Sequence, residues 1–478
     1  MDTKLQLRDF LELSYKELEE LNLKAKAKST QADQKALETS CRAYLQKETG
    51  IKAITLCFSD IEGRFHMLDY DKKFLLASAD NLTFDGSSIR GFTAQFESDL
   101  RLSVDWASIM WLPADVFGPG KVIMFANILN KDKSQYASDF RGMLQKYATE
   151  LKTKKGLTPY ASAEIEGFVM DGVNAEQSYQ EGQGFKLISS GGYYHSLPQD
   201  KLRQFIDSCA EAQRAMGFQN EKDHPEVAPS QFEMNFSYAE IIRTCDQIQL
   251  YKLIARQIAN KMGMTASFLP KPIMGVNGNG MHSNFSLARG GKNIFYDKKG
   301  KEGLSTEAWE IIQRLLNHAP EICLILNSSV NAYRRLDPHF EAPNQIKVSA
   351  NDRGSMIRIP TGNEKTARIE VRSVAPDANP YLWFYTLLRT GLEGEKLQKD
   401  SDKRDRLRFL PATISDAMRL YKQSSFVEKI LGAENKEKYL ACKVAAADRS
   451  PKELGTIIKQ SEIIYHHEVT DQTLWNKF

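Results

Sequence analysis

Two glutamates, Glu164 and Glu166, lie two residues apart in the largely apolar stretch ASAEIEGFVMD at 161–171. Side chains of a β-strand alternate between its faces, so this spacing predicts that both carboxylates leave the same face of one strand. Like charges side by side repel, and either a Lys or Arg across the sheet or a bound cation must offset them. Magnesium and manganese are the usual partners of clustered carboxylates. Taken alone, the pair is more typical of a solvated strand face than of a site.

Three further carboxylates and one imidazole lie in comparable stretches. Glu233 heads a polar row in the alternating FEMNFSY, and Glu226 lies in the proline-flanked loop before it. Glu370 belongs to RIEVR, whose alternation alone favours a cross-strand salt ladder. His282 follows the glycine-rich GVNGNG, which lacks the Walker pattern, and a lone His beside Met is more often structural than a ligand.

Together these six side chains indicate a metal site. Five carboxylates and an imidazole are too many to bury without cations, and two divalent ions taking three ligands each would account for them. Arginines are concentrated between 333 and 372, at Arg335, Arg353, Arg358, Arg368 and Arg372. Because guanidinium suits phosphate and carboxylate partners, the combination indicates phosphoryl transfer from a nucleotide to an anionic substrate. A surface salt-bridge network explains the same residues less well.

The chain as a whole has the composition of a globular protein. Its 478 residues favour two domains, or one large domain with a small partner. A net charge of +3 gives no reason to expect a nucleic-acid partner, and six scattered cysteines without a CxxC pair favour free thiols. No apolar run is long enough to span a bilayer, and the first residues lack the plan of a signal peptide. We therefore expect a cytoplasmic protein without a membrane partner.

Periodicity predicts the elements that position the candidate residues. Residues 1–48 have a helical composition, and a small, mostly β domain is expected from about 50 to 132, beginning with a hairpin of IKAITLCFSD and RFHMLDY. Helices are predicted at 137–154, 199–216, 240–263, 306–328 and 380–392. Strands are predicted at ASAEIEGFVMD, PSQFEMNFSYA, GMHSNFSL, SMIRIP and ARIEVRSV. This order favours an α+β catalytic domain with a charged, helical tail after 395.

Seven motifs resemble those of the glutamine synthetase family, in the same order: FDGSSIRGF, GGYY, EVAPSQFE, FLPKPIMGVNGNGMH, NAYRRLDPHFEAP, NDRGSMIRIP and ARIEVR. The resemblance is strong from about 50 to 395. It implies a small N-terminal β-grasp domain followed by a large catalytic domain with a curved antiparallel sheet flanked by helices. The corresponding division is a helical extension at 1–48, the β-grasp domain at 49–132 and the catalytic domain at 133–478. It also implies a homo-oligomer, a dodecamer of two hexameric rings with active sites between subunits.

The resemblance implies a role for each candidate residue. One ion, Mg²⁺ or Mn²⁺, would be held by Glu166, Glu226 and Glu233, and the other by Glu164, His282 and Glu370. ATP would contact Glu221, Tyr238, Ser286, Arg358, Lys365 and Arg368. Glutamate would bind Arg335, Arg372 and the backbone around Asn277 and Gly278. An ammonium pocket would consist of Asp85, Ser88, Tyr193, Glu226 and Glu341.

The implied reaction is the ATP-dependent ligation of ammonia to glutamate through γ-glutamyl phosphate. Arg353 would offset charge on the moving phosphoryl group, Asp85 of a neighbouring subunit would take the ammonium proton, and Glu341 would act as a lid that excludes water. One alternative is ligation of a larger amine, against which the charged ammonium pocket argues. Another is a catalytically silent oligomer with a structural or regulatory role, against which the complete set of metal ligands argues.

Three stretches depart from the family pattern. Asn284 stands where the family has a nucleotide-facing His, and Ser230-Gln231-Phe232 and Asn351-Asp352 replace the usual residues of two other motifs. All lie on the expected ATP or substrate side, so altered turnover or nucleotide affinity is expected.

Overall fold

The computed structural model of the chain describes residues 9–94, 98–175, 184–195, 200–336, 342–396 and 407–452. Helices are interspersed with the strands of two sheets in which most strand pairs are antiparallel, which confirms the predicted α+β class. Over these ranges, no helix combines the length and the apolar character needed to cross a bilayer.

The chain begins with the predicted helical extension, formed by α1 (Tyr15–Gln31) and α2 (Gln34–Lys47). Ser14 and Glu17 form a capping box at the start of α1, and Asp33 accepts the backbone N–H of Ala36 at the start of α2. Asn22 fixes α1 to the body of the protein. Its amide nitrogen donates to the carbonyls of Trp111 (2.9 Å) and Ala215 (2.8 Å).

A six-stranded sheet with two short helices follows the extension. Its elements are β1 (Ala53–Ser59), β2 (Phe65–Asp71), α3 (Lys72–Ser78), β3 (Leu82–Asp85), β4 (Asp99–Val104), β5 (Met110–Trp111), α4 (Ala114–Phe117) and β6 (Val122–Leu129). The strand order is β2-β1-β6-β4-β3, with β5 paired to β6. The predicted β1–β2 hairpin is confirmed. The pattern does not predict β3, because this strand is only four residues long.

The larger part of the chain is built on a ten-stranded, mostly antiparallel sheet. Its strands are β7 (Leu157–Asp171), β8 (Asn220–Pro225), β9 (Gln231–Phe236), β10 (Ala239–Glu240), β11 (Met264–Ser267), β12 (Met281–Arg289), β13 (Lys292–Asn293), β14 (Gln345–Ser349), β15 (Ser355–Arg358) and β16 (Ile369–Val371). The main order is β14-β15-β16-β12-β7-β9-β8. All five predicted strands are present. The strand β8 is not predicted, because its sequence NEKDHP is polar and does not alternate.

Helices cover the apolar face of this sheet and form the C-terminal tail. They are α5 (Phe140–Lys155), α6 (Lys201–Ala215), α7 (Ile241–Lys261), α8 (Thr306–Leu326), α9 (Val330–Arg335), α10 (Pro380–Glu393), α11 (Ile414–Gln423), α12 (Ser425–Leu431) and α13 (Ala433–Lys452). The five predicted helices are confirmed as α5, α6, α7, α8 and α10, and the helical tail as α11 to α13.

Strand β7 is the centre of the large sheet, with β12 on one side and β9 on the other. Burial alternates along its first ten residues, so that Ala161, Ala163 and Ile165 face the core. The hydroxyl of Tyr251 on α7 donates to the Ile165 carbonyl at 2.8 Å, which ties the strand to the helix behind it. The opposite face is left for Glu164 and its polar neighbours.

The two sheets are joined through a buried arginine. Arg141 on α5 contacts Asp105 of the small domain and Asp246 on α7, at 2.8 Å in each case. All three side chains are almost fully buried, so each charge is balanced by its neighbours rather than by water.

Candidate active site

The polar face of β7 lies in register with the strands on either side of it, β12 and β9. Glu164 lies opposite His282 on β12 and Asn235 on β9, and Glu166 lies opposite Glu233 on β9. Because directly opposed residues of an antiparallel pair project to the same face, the carboxylates and the imidazole form one cluster. The predicted shared face of Glu164 and Glu166 is confirmed.

His282 contacts three of the predicted carboxylates. Its Nδ1 lies 3.4 Å from Glu164 Oε2 and 3.7 Å from Glu370 Oε1, and its Nε2 lies 3.8 Å from Glu166 Oε1. The imidazole is 8% exposed and Glu370 is fully buried. The sequence leaves open a structural role for this His, and the geometry puts it among candidate ligands instead of apolar neighbours.

Glu370 is also the centre of the salt ladder that its motif suggests. Arg358, directly opposite on β15, contacts one carboxylate oxygen at 2.8 Å, and Arg372 contacts the other at 2.6 Å. The ladder and the cluster are therefore not alternatives, since one carboxylate belongs to both.

The donor set fits a hard divalent cation. Ligand atoms of Glu164, Glu233 and His282 lie within 4.8 Å of one another, as do those of His224, Glu226 and Glu233. Carboxylate oxygens with one imidazole are donors that Mg²⁺ and Mn²⁺ accept. These two groups overlap the two predicted sets of three ligands but are not identical to them, because Glu233 belongs to both groups. The division of the ligands between two ions therefore stays a prediction.

Sequence reasoning misses one member of the cluster, His224. It lies on β8 directly opposite Glu233, with Nε2 3.3 Å from a Glu233 oxygen and Nδ1 3.8 Å from a Glu226 oxygen. Its position two residues before Glu226 could have indicated a role in the cluster. That inference would have required recognising β8 as a strand paired with β9.

Crowding of carboxylates sets the electrostatics of the cluster. Burial, followed by the charges of Glu166 and Glu233, raises the pKa of Glu226 to about 8. Burial also raises the pKa of Glu166, with Glu233 adding to the effect. For Glu164, burial is outweighed by the hydrogen bond and the charge of His282, which hold its pKa at about 2. A bound cation would relieve the repulsion among Glu166, Glu226 and Glu233.

A cavity of about 200 Å³ adjoins the cluster along β7. Five of the six predicted nucleotide contacts line it: Glu221, Tyr238, Ser286, Lys365 and Arg368. Glu164 lines it as well. The sixth, Arg358, does not line this cavity and instead pairs with Glu370.

Asn284 connects the cavity to the cluster. Its amide nitrogen donates to Glu164 Oε1 at 3.2 Å, and its amide oxygen accepts from Arg368 Nε at 3.0 Å. The side chain is 2% exposed. The amide that departs from the family pattern is thus an integral, satisfied link between a candidate metal ligand and a candidate nucleotide contact.

The predicted glutamate side is formed by Arg335 and the glycine-rich loop. The Arg335 guanidinium donates to the carbonyls of Arg372 (3.0 Å) and Val374 (3.3 Å), and burial lowers its pKa to about 10. A Cβ on Gly280 would lie 2.6 Å from Arg335 Nη2, and one on Gly278 2.5 Å from a backbone carbonyl. A side chain at position 278 would collide with backbone, and one at position 280 would displace the Arg335 guanidinium and the His282 ring.

The N–H of Gly280 also donates to Glu166 Oε2 at 2.7 Å, so the loop is tied to the carboxylate cluster. Asn277, the other predicted contribution of this loop, is half-buried.

The predicted ammonium pocket draws on Asp85 and Ser88 of the small domain and on Tyr193 and Glu226 of the large one. Asp85 is exposed at the end of β3, where it accepts hydrogen bonds from the hydroxyls of Ser87 and Ser88, each at 2.6 Å. Those bonds lower its pKa. No hydrogen bond or ion pair joins Asp85 to Tyr193 or Glu226 in this part of the chain.

Two further predicted catalytic residues are Glu341 and Arg353. Glu341 lies outside the described residues, so the predicted lid is not placed. Arg353 is exposed in the turn between β14 and β15.

The chain is similar to glutamine synthetases over most of its length. Family models described as the glutamine synthetase β-grasp domain and catalytic domain match residues 50–131 and 137–455. Glutamine synthetase of Thermotoga maritima is 34% identical over 433 residues, covering 87% of this chain and 96% of that relative. Glutamine synthetase of Methanosarcina mazei is 36% identical over 414 residues, covering 83% and 91%.

Solved structures share the fold at lower identity. A Plasmodium falciparum glutamine synthetase structure gives a TM-score of 0.77 at 20% identity and covers 90% of this chain and 98% of that one. A GmaS/ADP complex gives 0.74 at 24% identity, covering 88% and 99%. Together with the family models, they confirm the predicted β-grasp domain followed by a catalytic domain with a curved sheet.

Proposed function

Because the chain belongs to the glutamine synthetase family, we propose that it ligates ammonia to the γ-carboxylate of L-glutamate in an ATP-dependent reaction. One observation carries the proposal. Glu164 belongs to the carboxylate–imidazole cluster and also lines the nucleotide-side cavity, with Asn284 and Arg368 next along that wall. A candidate cation site that shares a wall with a recess lined by candidate nucleotide contacts suits phosphoryl transfer.

The residues proposed to hold two Mg²⁺ or Mn²⁺ ions are Glu166, Glu226 and Glu233 for one and Glu164, His282 and Glu370 for the other. When bound, the ions would supply positive charge that neutralises the phosphate oxygens of ATP. His224 would support Glu226 and Glu233 from the neighbouring strand, since it lies within 3.8 Å of both carboxylates.

In the first proposed step, a γ-carboxylate oxygen of glutamate bonds to the γ-phosphorus of ATP while the bond to the leaving ADP oxygen breaks. Arg335 and Arg372 would hold the substrate, and their fixed positions favour this role. Arg335 is anchored by two backbone carbonyls and Arg372 by Glu370. Arg353 would offset charge on the transferred group.

In the second proposed step, ammonia attacks the γ-carbonyl carbon and phosphate leaves, giving glutamine. Asp85 of a neighbouring subunit would take the ammonium proton before the attack. The hydrogen bonds from Ser87 and Ser88 that lower its pKa would keep this carboxylate ionised and able to attract a cation. Tyr193, Glu226 and Glu341 would complete the pocket, in a homo-oligomer with sites between subunits.

Ligation of an amine larger than ammonia is the second candidate. Tyr193 and the adjacent Tyr194 are 42% and 57% exposed, so the described part of the pocket is open on that side. An open pocket would admit a substituent on the nitrogen, whereas a closed, charged pocket would reject it.

Phosphate release by the purified full-length protein distinguishes the candidates. With ATP, glutamate and magnesium, we expect release to depend on ammonium and to be lost in Glu370→Gln, but not in Glu428→Gln on the exposed face of α12. Release with organic amines only would favour the second candidate and contradict the first. Absence of release with every nitrogen donor would favour a silent oligomer.

A further inference from the structure

A second cavity, of about 530 Å³, lies between the N-terminal helices and the rest of the protein. We call it the N-terminal cavity. It is lined by α1 and α2, by the small domain near Asp105, and by α5 and α7. Tyr160 and Tyr238 line both this cavity and the nucleotide-side cavity. Its volume is in the range of small-molecule sites.

Most charges in its wall are already paired. Arg141 contacts Asp105 and Asp246 at 2.8 Å, and Lys152 lies 3.7 Å from Glu240. These contacts account for all three carboxylates of the lining.

Two cations of the lining, Lys26 on α1 and Arg243 on α7, have no carboxylate within ion-pair distance among the residues that the structure describes. Lys26 Nζ donates to the carbonyl of Gly217 at 3.5 Å, and Arg243 donates to the hydroxyl of Ser29. Both side chains are half-buried. Most of their hydrogen-bond donors are therefore available to a ligand.

The two cations lie close enough to influence each other. Burial, followed by the charge of Arg243, lowers the pKa of Lys26 to about 8. Burial also lowers the pKa of Arg243, and the negative charges of Glu240, Asp246 and Asp105 only partly offset this effect. Half-buried like charges facing the same space are stabilised by an anion placed between them.

We propose that the N-terminal cavity binds a small molecule carrying an oxyanion group, phosphate or carboxylate, through Lys26 and Arg243. The guanidinium offers a bidentate fork to such a group, and the ammonium offers a point charge. The ligand would connect α1 to α7 and so hold the N-terminal extension against the catalytic domain. This site is separate from the reaction proposed above and does not depend on it.

Hydrogen exchange of the α1 amides tests the site, because a ligand between α1 and α7 must dissociate before α1 can open. The probes are inorganic phosphate and succinate, each titrated first by calorimetry on the full-length protein. At ten times the measured Kd, exchange in α1 should slow by about tenfold with at least one probe. Phosphate alone would indicate a phosphorylated ligand, and succinate alone a carboxylate.

Lys26→Met and Arg243→Met should each abolish most of this slowing, whereas Lys24→Met, an exposed neighbour on the same helix, should retain it. Arg243→Lys keeps the charge and serves if Arg243→Met does not fold. Slowing by neither probe in the unmodified protein would overturn the proposal. Equal slowing in Lys26→Met and the unmodified protein would overturn it as well.

Discussion

Glu164 and Glu166 leave the same face of β7 but have different neighbours. Glu164 accepts from Asn284 and lines the nucleotide-side cavity, whereas Glu166 accepts from Gly280 in the loop proposed to hold glutamate. We expect Glu164→Gln to raise KM for ATP about tenfold or more with a smaller effect on KM for glutamate, and Glu166→Gln to do the reverse. Steady-state kinetics with each substrate varied in turn provides the measurement. Equal effects of both variants on both KM values would contradict the assignment.

Asn284 tests whether the departure from the family pattern is functional. Its amide satisfies Glu164 and Arg368 at once, and each hydrogen bond to a charged group contributes about 1.5–3 kcal/mol. Asn284→Leu removes one hydrogen bond from each partner, so we expect about a tenfold or greater loss in ATP affinity, measured by calorimetry with ADP or ATP. The control Ser283→Ala alters the adjacent side chain on the opposite face of β12. Unchanged nucleotide affinity in Asn284→Leu would show that the link is dispensable.

At the scale of elements, Asp139 joins the last strand of the small domain to the first helix of the catalytic domain. It is the N-cap residue of α5, and its side chain accepts the backbone N–H of Ile128 at the end of β6, at 2.8 Å. Burial raises its pKa to about 6. The folded state therefore favours the neutral acid, a stabilisation that is complete below the ordinary pKa of 3.8 and is lost as the pH rises through about 6.

Asp139→Asn cannot ionise at this position. Between pH 4 and pH 7, its free energy of unfolding should therefore rise relative to that of the unmodified protein by about 2 kcal/mol. Urea unfolding at both pH values measures this difference. Asp33→Asn, at the exposed N-cap of α2, is the matched control. A constant difference between Asp139→Asn and the unmodified protein at the two pH values would refute the expectation.

The elements also show what can be predicted from sequence. Period-two alternation was sufficient for β7, β9, β12, β15 and β16, because one face of each strand is apolar. It was insufficient for β8, whose sequence NEKDHP has no apolar face and which pairs at the edge of the sheet. His224 was missed for that reason. Its role depends on the pairing of β8 with β9, a contact that spacing along the chain does not reveal.

Across the whole molecule, the sequence predicted correctly most of the residues that form the cluster. It did not predict that one residue contributes to more than one group of contacts. The cluster of Glu164, Glu166, Glu233, His282 and Glu370 follows from the register of β7 with its neighbours. The overlap at Glu233 and the salt bridges of Glu370 depend on distances between strands, which spacing does not specify. The placement of Asp85 relative to Tyr193 depends on a second copy of the chain in the proposed assembly.

Subunit mixing tests that assembly. Asp85→Asn and Glu226→Gln should each be inactive alone, because every site would lack one group. If the two residues meet across a subunit boundary in closed rings, about a quarter of the sites in an equal random mixture would be intact, and activity should return to about that fraction. The variants are unfolded, mixed and refolded together, with separately refolded variants as the control. Failure of the mixed rings to regain activity would contradict a site between subunits.

The fate of the γ-carboxylate oxygens reports directly on whether γ-glutamyl phosphate is formed. Glutamate labelled with ¹⁸O in its γ-carboxylate is incubated with the protein, ATP, magnesium and ammonium, and the phosphate and amide products are analysed by mass spectrometry. We predict one ¹⁸O atom in each phosphate released and an equal amount of glutamine, because the attacking carboxylate oxygen leaves with the phosphoryl group. Unlabelled phosphate, or labelled phosphate without glutamine, would contradict the proposed reaction.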